Sequence, residues 1–379
     1  MLIFSLAYIP FIGGAELAVK EITDRIGSPR FDNRVEAGEI SAKGGPASGW
    51  EFDLVTVNLD GKQPTTERIG NITVHRVGRG RMSKYFFPIT ALRFATQLHR
   101  QKKFDIAWAI MANQAGLAAS WFKKRFPEVK YLLTLQEGDS LKSIWWRTWW
   151  MRPLYKKIYT TADTIQAIST FLADRARKYG FAKTIHVIPN GVDIAHFTRP
   201  LTNPPSPMPT VITVSRLVEK NGIDTLIQAM QFVEGQLLIL GIGDQENKLR
   251  QLASSLSLQN RVSFVGHVDH RQLPGYLHQA DVFVRPSRSE GLGSAFLEAM
   301  AAGLPIVATP VGGIIDFLED DKTGLFCQVN NPRSVADAIN RLLADKQLRE
   351  NIAMNGSALV SERYDWNLIA QQIKKVFGI

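Results

Sequence analysis

Two glutamates, Glu290 and Glu298, flank a glycine-rich segment in the second half of the chain. Between them lie four residues typical of a phosphate-binding loop, namely Gly291, Leu292, Gly293 and Ser294. An apolar strand is predicted just before this loop, and a helix is predicted to begin near Gly293. Backbone N–H groups at a helix N-terminus bind phosphate, and a carboxylate accepts hydrogen bonds from sugar hydroxyls. The segment therefore predicts a site for a nucleotide-sugar, with Glu290 on the sugar and Glu298 on the ribose diol.

Two cations follow the first predicted strand of the second half. Arg216 and Lys220 come directly after the apolar run 210–215. Positive charge at this position would neutralise a diphosphate and the charge that develops as the diphosphate leaves. An Arg and a Lys after a strand are also common surface residues, so this interpretation depends on the neighbouring glutamates.

A glycine pair, Gly13-Gly14, lies at the first strand-to-helix turn. Glycine allows the backbone to approach a phosphate closely. By itself such a pair is weak evidence for a binding site.

The segment from Arg285 to Pro305, RPSRSEGLGSAFLEAMAAGLP, resembles the E-x7-E signature of glycosyltransferase family 4. That family consists of retaining enzymes with the GT-B fold. The resemblance implies that Glu290 contacts the donor sugar and that Glu298 contacts the ribose. It also implies that Arg216 and Lys220 stabilise the leaving diphosphate, although Asn221 here separates the family's usual Lys-Gly pair.

Other segments extend the resemblance over nearly the whole chain. Gly13-Gly14 would contact donor phosphate or acceptor, and the segment around His267 is similar to the family's nucleobase pocket, where contacts are largely through backbone. The runs PNGVD at 189–193 and PVGGI at 310–314 are also similar to the family.

One residue departs from the family pattern in the first half. The family often has a His after the strand predicted at 131–135, where this chain has Gln136, with Glu137 and Asp139 nearby. A glutamine neither donates a proton as an acid nor accepts one as a base, but it hydrogen-bonds sugar hydroxyls or carbonyls. In same-face retaining transfer the leaving phosphate takes the acceptor's proton. Gln136 therefore stays a candidate catalytic-site residue.

The sequence contains no Asp-x-Asp motif and no Cys/His cluster with metal-ligand spacing. Arg216 and Lys220 would supply the positive charge that a divalent metal supplies elsewhere. We therefore expect a metal-independent enzyme with no tightly bound cofactor, whose co-substrate is a UDP- or GDP-sugar.

The elements that position these residues alternate between strand and helix in both halves of the chain. Strands are predicted at 2–6, 53–58, 73–77, 106–110, 131–135, 164–168 and 185–188, and then at 210–215, 236–240, 262–265, 282–285, 306–309 and 324–327. Helices are predicted at 15–26, 89–101, 114–126, 144–161 and 170–179, and then at 222–231, 247–257, 270–279, 293–302, 314–319 and 332–344. This alternation indicates parallel sheets covered by helices on both faces.

We therefore predict an α/β protein of the GT-B type, with two Rossmann-like domains facing each other across a cleft. An acceptor-binding domain would span 1–198 plus about 364–379, and a nucleotide-sugar domain would span 210–363. The proline-rich stretch 199–209 would be the linker. The long weakly patterned segment 33–50 would be a mobile loop near the cleft.

Charge is unevenly distributed between the halves. Residues 1–200 contain 29 Lys/Arg and 17 Asp/Glu, whereas 201–379 contain 16 and 18. The basic half and the Trp-rich run 141–157 suit peripheral contact with an anionic membrane and a glycan or lipid-linked acceptor. A helix packed by its own aromatics explains that run equally well. One cysteine and no evident targeting segment favour a cytoplasmic location, at the inner membrane face if the contact exists.

Two alternatives remain. A nucleotide-sugar epimerase with the same fold needs no acceptor, although the E-x7-E context argues against it. A non-catalytic protein that binds sugar nucleotides or nucleic acid is compatible with the basic half. No nucleic-acid-binding module is visible, so we expect no nucleic-acid partner.

Overall fold

The computed structural model describes residues 1–11, 13–27, 50–138, 152–198 and 208–378. These residues form two compact units. The first takes its residues from Met1–Glu137, Leu141–Asn190 and Trp366–Ile379, and the second from Gly138–Ser140 and Gly191–Asp365. The predicted loop at 33–50 (apart from Trp50), most of the predicted linker at 199–209 and the run 141–151 lie outside the described residues.

The described residues of the first unit form eight strands: β1 (Leu2–Phe4), β2 (Phe52–Val57), β3 (Thr66–Ile69), β4 (Ile72–Val77), β5 (Ile106–Ile110), β6 (Lys130–Leu135), β7 (Thr164–Ala167) and β8 (Ile185–Val187). Its helices are α1 (Gly14–Ile26), α2 (Ser83–Lys102), α3 (Gln114–Arg125), α4 (Arg152–Thr160) and α5 (Thr170–Lys178), together with α13 (Trp366–Phe377) near the C-terminus. The sheet order is β3-β4-β2-β1-β5-β6-β7-β8. Every pairing is parallel except that of β3 with β4.

In the part of the second unit that the structure describes there are six strands: β9 (Thr210–Val214), β10 (Gln236–Leu240), β11 (Val262–Gly266), β12 (Val282–Arg285), β13 (Ile306–Ala308) and β14 (Leu325–Phe326). Its helices are α6 (Ile194–Phe197), α7 (Ile223–Ala229), α8 (Glu246–Ser255), α9 (Leu273–Leu277), α10 (Ser294–Ala301), α11 (Pro332–Ala344) and α12 (Lys346–Arg363). Short 3-10 turns lie at 219–221, 230–232 and 312–316.

The second sheet is fully parallel, in the order β11-β10-β9-β12-β13-β14. This is the doubly wound order, in which the chain winds outward from β9 in one direction and then from β12 in the other. The crevice beyond the carboxyl ends of β9 and β12 is therefore the topological switch point, where ligands bind in such sheets. The first sheet has its own switch point between β1 and β5.

Each unit has its own hydrophobic core. In the first unit, strand residues such as Ile3 and Leu54 pack with α1 and α13, and Ile369 on α13 is fully buried there. In the second unit, Leu226 on α7 and Ile339 on α11 pack against strand residues such as Val284. The buried strands are almost continuously apolar because helices cover both faces of the sheets.

The structure differs from the sequence predictions at several elements, including helices α12 and α13, which were not predicted. The helix predicted at 314–319 is wrong, because residues 312–316 form a 3-10 turn that begins at Gly312, where φ is +58°. The hairpin strand β3, which pairs with β4 through Gly70-Asn71, was not predicted because its side chains are exposed or only half-buried. Helix α2 begins at Ser83 instead of residue 89 and accommodates Pro88 within its second turn.

Candidate functional site

The second unit brings most of the predicted site residues to its switch point. Arg216 and Lys220 follow β9, and Glu290 follows β12, the neighbouring strand. The two loops touch at Gly222, where φ is +68° and a Cβ would lie 2.1 Å from the Pro286 carbonyl oxygen. Only glycine fits both the space and the backbone angle, so this contact fixes the distance between the two loops.

A side chain within the loop after β9 closes that loop by a hydrogen bond to its backbone. Asn221, the residue that interrupts the family's Lys-Gly pair, is buried and donates from Nδ2 to the Arg216 carbonyl oxygen at 2.7 Å. The Arg216 side chain is exposed. Lys220 is anchored through its backbone, because the Arg288 N–H donates to the Lys220 carbonyl oxygen at 2.7 Å.

Glu290 is held on both carboxylate oxygens. Its Oε2 accepts from Arg285 Nη2 at 2.6 Å, and its Oε1 accepts from the Gly291 N–H at 2.9 Å. Its carbonyl oxygen accepts from Gly313 N–H at 3.1 Å. Gly312 must be glycine there, because a Cβ would lie 1.9 Å from that oxygen. The PVGGI segment thus fixes the backbone beneath Glu290.

Arg285 is one of the residues at the candidate site that sequence analysis missed. Its guanidinium is buried, donates to the Val214 carbonyl oxygen at 3.1 Å and lies 4.3 Å from the centre of the Phe296 ring. Burial lowers the pKa of Arg285, although Glu290 and Glu298 act to raise it. The available signal was a cation at the last position of a strand that is otherwise apolar.

Three polar groups lie close to one point beside Gly138. A methyl group on Gly138 would lie 2.7 Å from the Gly291 backbone nitrogen, 3.1 Å from Lys220 Nζ and 3.2 Å from Glu290 Oε1. The buried Ser289 hydroxyl donates to the Gly138 carbonyl oxygen at 2.8 Å and holds this backbone in place. Sequence analysis had not singled out Gly138, because nothing local marks a glycine as lying beside residues so distant in sequence.

The loop before α10 ends at Gly293, which caps the helix with φ of +89°. A Cβ on Gly293 would lie 2.6 Å from both Arg285 Nη2 and the Phe296 ring, so a larger residue does not fit. Leu292 is buried, and Ser294 begins the helix half-buried. The Leu292 side chain is therefore not accessible to a ligand, so any contact by this residue would be through its backbone.

Glu298 lies on α10 with a largely buried carboxylate. Its Oε1 lies 3.3 Å from His270 Nε2. The His270 ring contacts the Phe197 ring edge to face at 5.3 Å between centroids and stacks on His196 at 5.7 Å. His267 is exposed directly after β11, beyond Gly266, where φ is +83°. The second glutamate thus has a histidine partner that sequence analysis missed.

The remaining predicted residues lie in the first unit. Gly13 caps α1, and its N–H donates at 2.8 Å to Glu16 Oε2, so the protein's own carboxylate lies where a phosphate would bind. Gly14 is the first residue of α1. Gln136 is half-buried after β6 and accepts from Asn190 Nδ2 at 3.2 Å.

Glu137, next to Gln136, is a buried carboxyl. It accepts from the Ala112 N–H, and its Oε2 is buried with no hydrogen-bond partner among the described residues. Burial raises the pKa of Glu137, although Arg175 acts to lower it. This carboxyl therefore retains a proton to higher pH than an exposed glutamate does.

The described ranges lack two features. No group of three or more His, Cys, Asp or Glu side chains there is arranged to hold a metal ion. No helix in the same ranges has the length and apolar character needed to cross a bilayer.

Known proteins similar to this chain are glycosyltransferases. The chain is 32% identical over 244 residues to a GDP-mannose-dependent alpha-(1-6)-phosphatidylinositol monomannoside mannosyltransferase of Mycobacterium tuberculosis. The matched region covers 59% of this chain and 63% of that protein. The chain thus spans less than two thirds of that relative's length.

Solved structures share the fold over almost the full chain. Sucrose-phosphate synthase from Thermosynechococcus elongatus has a TM-score of 0.83 at 23% identity, covering 99% of this chain and 97% of that one. Anabaena Alr3699/HepE in complex with UDP-glucose has a TM-score of 0.78 at 19% identity, covering 100% and 98%. These similarities confirm the predicted GT-B fold.

Two family descriptions match the sequence on either side of the boundary between the units. Residues 41–191 match "Glycosyl transferase 4-like domain", and residues 197–359 match "Glycosyl transferases group 1". The resemblance found in the E-x7-E segment therefore extends over most of the chain. With the parallel sheets and the paired glutamates at the switch point, these matches show that the chain belongs to the group 1, or family 4, glycosyltransferases.

Proposed function

We propose that this protein is a retaining glycosyltransferase that moves a sugar from a nucleotide-sugar to a hydroxyl of a glycan or lipid-linked acceptor. Family membership supports transfer chemistry. The mycobacterial relative is named as a mannosyltransferase that acts on a phosphatidylinositol mannoside, which supports a glycolipid or cell-surface polysaccharide product.

One observation carries this proposal. Lys220 Nζ, the Gly291 N–H and Glu290 Oε1 all lie within 3.2 Å of the point where a methyl group on Gly138 would sit. A cation beside a carboxylate acceptor, which the Gly291 N–H holds at 2.9 Å, matches what a sugar diphosphate offers: anionic oxygens beside neutral hydroxyls.

In the proposed reaction, the bond between the anomeric carbon and the diphosphate oxygen breaks while the acceptor oxygen bonds to the same face of that carbon. The acceptor's proton passes to the leaving diphosphate. Arg216 and Lys220 stabilise the negative charge that develops on this group. Glu290 accepts hydrogen bonds from the donor sugar hydroxyls, with Arg285 cancelling its charge so that it does not repel the diphosphate.

The rest of the donor would bind along the second unit. We assign the backbone of Gly291, Leu292, Gly293 and Ser294 to the phosphates, Glu298 to the ribose diol and the backbone around His267 to the nucleobase. Positive charge from Arg216 and Lys220 makes a divalent metal unnecessary in this proposal. The mycobacterial relative's name specifies GDP-mannose, whereas HepE was crystallised with UDP-glucose, so both bases are candidates.

The acceptor would bind to the first unit. We assign residues 1–198 with about 364–379 to acceptor binding, 199–209 to the linker and 210–363 to the donor. Gln136, held by Asn190, would hydrogen-bond an acceptor or donor hydroxyl. Gly13 and Gly14 are better suited to a neutral acceptor than to phosphate, because Glu16 already provides negative charge at that helix N-terminus.

The test compares donor binding and transfer in the parent and in single-residue variants. Calorimetry with UDP-, GDP- and ADP-sugars, with and without EDTA, should show binding of one nucleotide class that is insensitive to EDTA. Glu298→Gln should weaken that binding about ten- to a hundredfold, as expected for the loss of hydrogen bonds to a charged group. Glu290→Gln should lower kcat more than affinity. Glu350→Gln, an exposed carboxylate far along the chain, is the matched control.

The product decides between the candidate activities. NMR of the glycoside should show the same anomeric configuration as the donor. A free epimerised nucleotide-sugar would indicate the epimerase alternative. Binding without turnover of any donor, in the presence of glycan and glycolipid acceptors, would indicate a binding protein.

A further inference from the structure

Helix α2 presents an apolar face to solvent at its N-terminal end. Met82, Tyr85, Phe86 and Ile89 are 70%, 57%, 63% and 47% exposed. Their spacing of three and four residues places them on one side of the helix, and Met82 continues the helical backbone with φ of −70° and ψ of −24°. These four residues are called the α2 surface below.

The fold of the unit does not account for this exposure. Helix α2 already buries its other side against the rest of the first unit, through Phe87, Ala91, Ala95 and Leu98. The other large exposed apolar side chains of the described residues are scattered over separate elements. A solvent-exposed apolar cluster of this kind usually marks a binding surface.

The charge around the α2 surface is positive. From Arg68 to Phe104 the sequence contains nine Lys or Arg residues and no Asp or Glu. Arg76 pairs with Glu67, and Lys102 pairs with Asp53. Arg79, Arg81 and Arg93 are exposed near the α2 surface, and Lys84 Nζ lies 5.0 Å from the centre of the Tyr85 ring. Asp60, in the loop that Arg79 contacts through Gly61, is a nearby acid.

The α2 surface lies at the functional edge of the first sheet. Strand β4 ends at Val77, and α2 begins six residues later at Ser83. The first turns of α2 therefore lie at the carboxyl ends of the parallel strands, which is the edge where ligands bind in this class of fold.

These features fit a lipid bilayer better than a macromolecular partner. Two aromatic rings, a methionine and an isoleucine bordered by cations are the composition of a helix face that inserts into an anionic interface. A stable protein interface needs about 800 Å² from each partner, and four side chains on two helical turns provide much less.

We propose that the α2 surface docks on anionic membrane. The four apolar side chains enter the headgroup region, and Arg79, Arg81, Lys84 and Arg93 contact lipid phosphates. Docking is separate from sugar transfer, so it is measured without turnover. For an enzyme with a lipid-linked acceptor it would hold the carboxyl edge of the first sheet at the surface that carries that acceptor. The α2 surface is a different part of the chain from the Trp-rich run at 141–157.

The test is co-sedimentation of the full chain with vesicles. One set contains equal parts of phosphatidylglycerol and phosphatidylcholine, and the other contains phosphatidylcholine alone. The parent should bind the anionic vesicles and bind the neutral ones at least tenfold more weakly. Tyr85→Ser/Phe86→Ser should lower partitioning onto anionic vesicles at least tenfold at low and high salt. Arg81→Glu/Arg93→Glu should lower it at low salt, because surface charge is screened at high salt.

Two matched controls have the same chemistry at other positions. Met354→Ser/Leu368→Ser removes two exposed apolar side chains, and Lys248→Glu/Lys346→Glu makes the same change in net charge. Both should bind like the parent. Donor binding measured on each variant shows that the fold is intact. The proposal is overturned if the parent ignores anionic vesicles, if controls and α2 variants lose binding equally, or if an RNA oligonucleotide is bound in preference to the vesicles.

Discussion

At the scale of single residues, the Arg285–Glu290 ion pair is the most deeply buried charge pair of the candidate donor site described above. Both side chains are largely buried, with exposed fractions of 6% and 14%. A buried pair is stable only where additional hydrogen bonds satisfy both partners, and the Val214 carbonyl and the Gly291 N–H provide them here. We therefore expect Arg285 to act as a positioning residue for the Glu290 carboxylate, which it contacts at 2.6 Å.

Replacing Arg285 with Met should leave the Glu290 charge buried without its partner. We expect a loss of about 3–5 kcal/mol in the free energy of unfolding, measured by denaturant titration, and at least a tenfold lower kcat. The double variant Arg285→Met/Glu290→Gln should recover most of the stability and none of the activity.

Arg250 is the matched control, because it also pairs with a glutamate (Glu246, 2.8 Å) and lies over a phenylalanine ring (Phe264, 4.5 Å). It is exposed, so Arg250→Met should cost less than about 1 kcal/mol. Full activity in the double variant at position 285 would contradict the positioning role.

Gly138 allows a second test at the same scale. Gly138→Ala would place a methyl group 2.7 Å from the Gly291 nitrogen and 3.1 Å from Lys220 Nζ. We expect donor affinity, measured by calorimetry, to fall at least tenfold because the three converging groups must move apart. Gly275→Ala has nothing within 4 Å of the new methyl group and should bind donor normally. Equal affinities in the two variants would show that the convergence has no role in donor binding.

At the scale of elements, the loops after β9 and β12 are held together by backbone contact. Arg288 adds side-chain hydrogen bonds, donating to Asp224 Oδ2 at 2.7 Å and to Asn330 Oδ1 at 2.6 Å. The turn that carries Lys220 is therefore fixed from several directions. Such rigidity suits a site that must present charge in one place without reorganisation.

Gly222→Ala tests this loop contact. The substitution combines a φ of +68° with a Cβ placed 2.1 Å from the Pro286 carbonyl oxygen. Gly303→Ala shares the positive φ, at +75°, but meets nothing within 4 Å. Denaturant titration should show a loss of about 1–2 kcal/mol for Gly303→Ala and a larger loss for Gly222→Ala. Donor affinity should fall only in the Gly222 variant, and equal behaviour of the two variants would contradict this account.

The C-terminal end of α2 contains a pH-sensitive contact. His99 Nδ1 accepts the Phe104 N–H at 3.0 Å, and its ring packs on Phe122 and Phe126. Burial, with a contribution from Lys103, lowers the pKa of His99 despite the opposing effect of Glu128. The folded state therefore favours the neutral ring, and the unfolded state binds the proton more readily.

Stability from this contact should be fully present above the unfolded histidine pKa of about 6.5 and should be lost as the pH falls through the lower folded value. Unfolding free energies measured between pH 7.5 and 5 should therefore decline, and His99→Asn should flatten this decline. His186→Asn is the control. A decline of the same steepness in His99→Asn would assign the effect to other groups.

At the scale of the whole molecule, the two units take their residues from the chain in different ways. Apart from Gly138–Ser140, the second unit is a single stretch, whereas the first takes its last helix from the end of the chain. Helix α13 packs on α1, and Phe377 contacts the Trp108 ring at 5.3 Å between centroids. The first core is therefore incomplete until the helix Trp366–Phe377 has been added.

Ile373→Ala tests this dependence. Ile373 is buried in the first core, so the substitution should cost about 2–5 kcal/mol in the free energy of unfolding. Hydrogen exchange should show faster opening in β1, β2 and α1, with no change in the second unit. Gln372→Ala, on the exposed side of the same helix, should be within about 0.5 kcal/mol of the parent. Equal acceleration in both units would show that they do not have separate cores.

The sequence by itself determined the alternation of strands and helices, because hydrophobic periodicity and turn residues act over a few neighbours. Strands 106–110, 236–240 and 282–285 and helix 332–344 have the predicted bounds. The glycine-rich segment and its two glutamates were visible for the same reason, since the whole motif lies within one strand-loop-helix unit.

Only the tertiary structure decided which distant residues meet. The strand order places the loops after β9 and β12 side by side, although about 70 residues separate them. The tertiary structure also brings Gly138 next to Glu290 and packs Gly312 against the Glu290 backbone. It completes the first core with α13. Local patterns carry no information on these partners, because each contact depends on how whole elements pack.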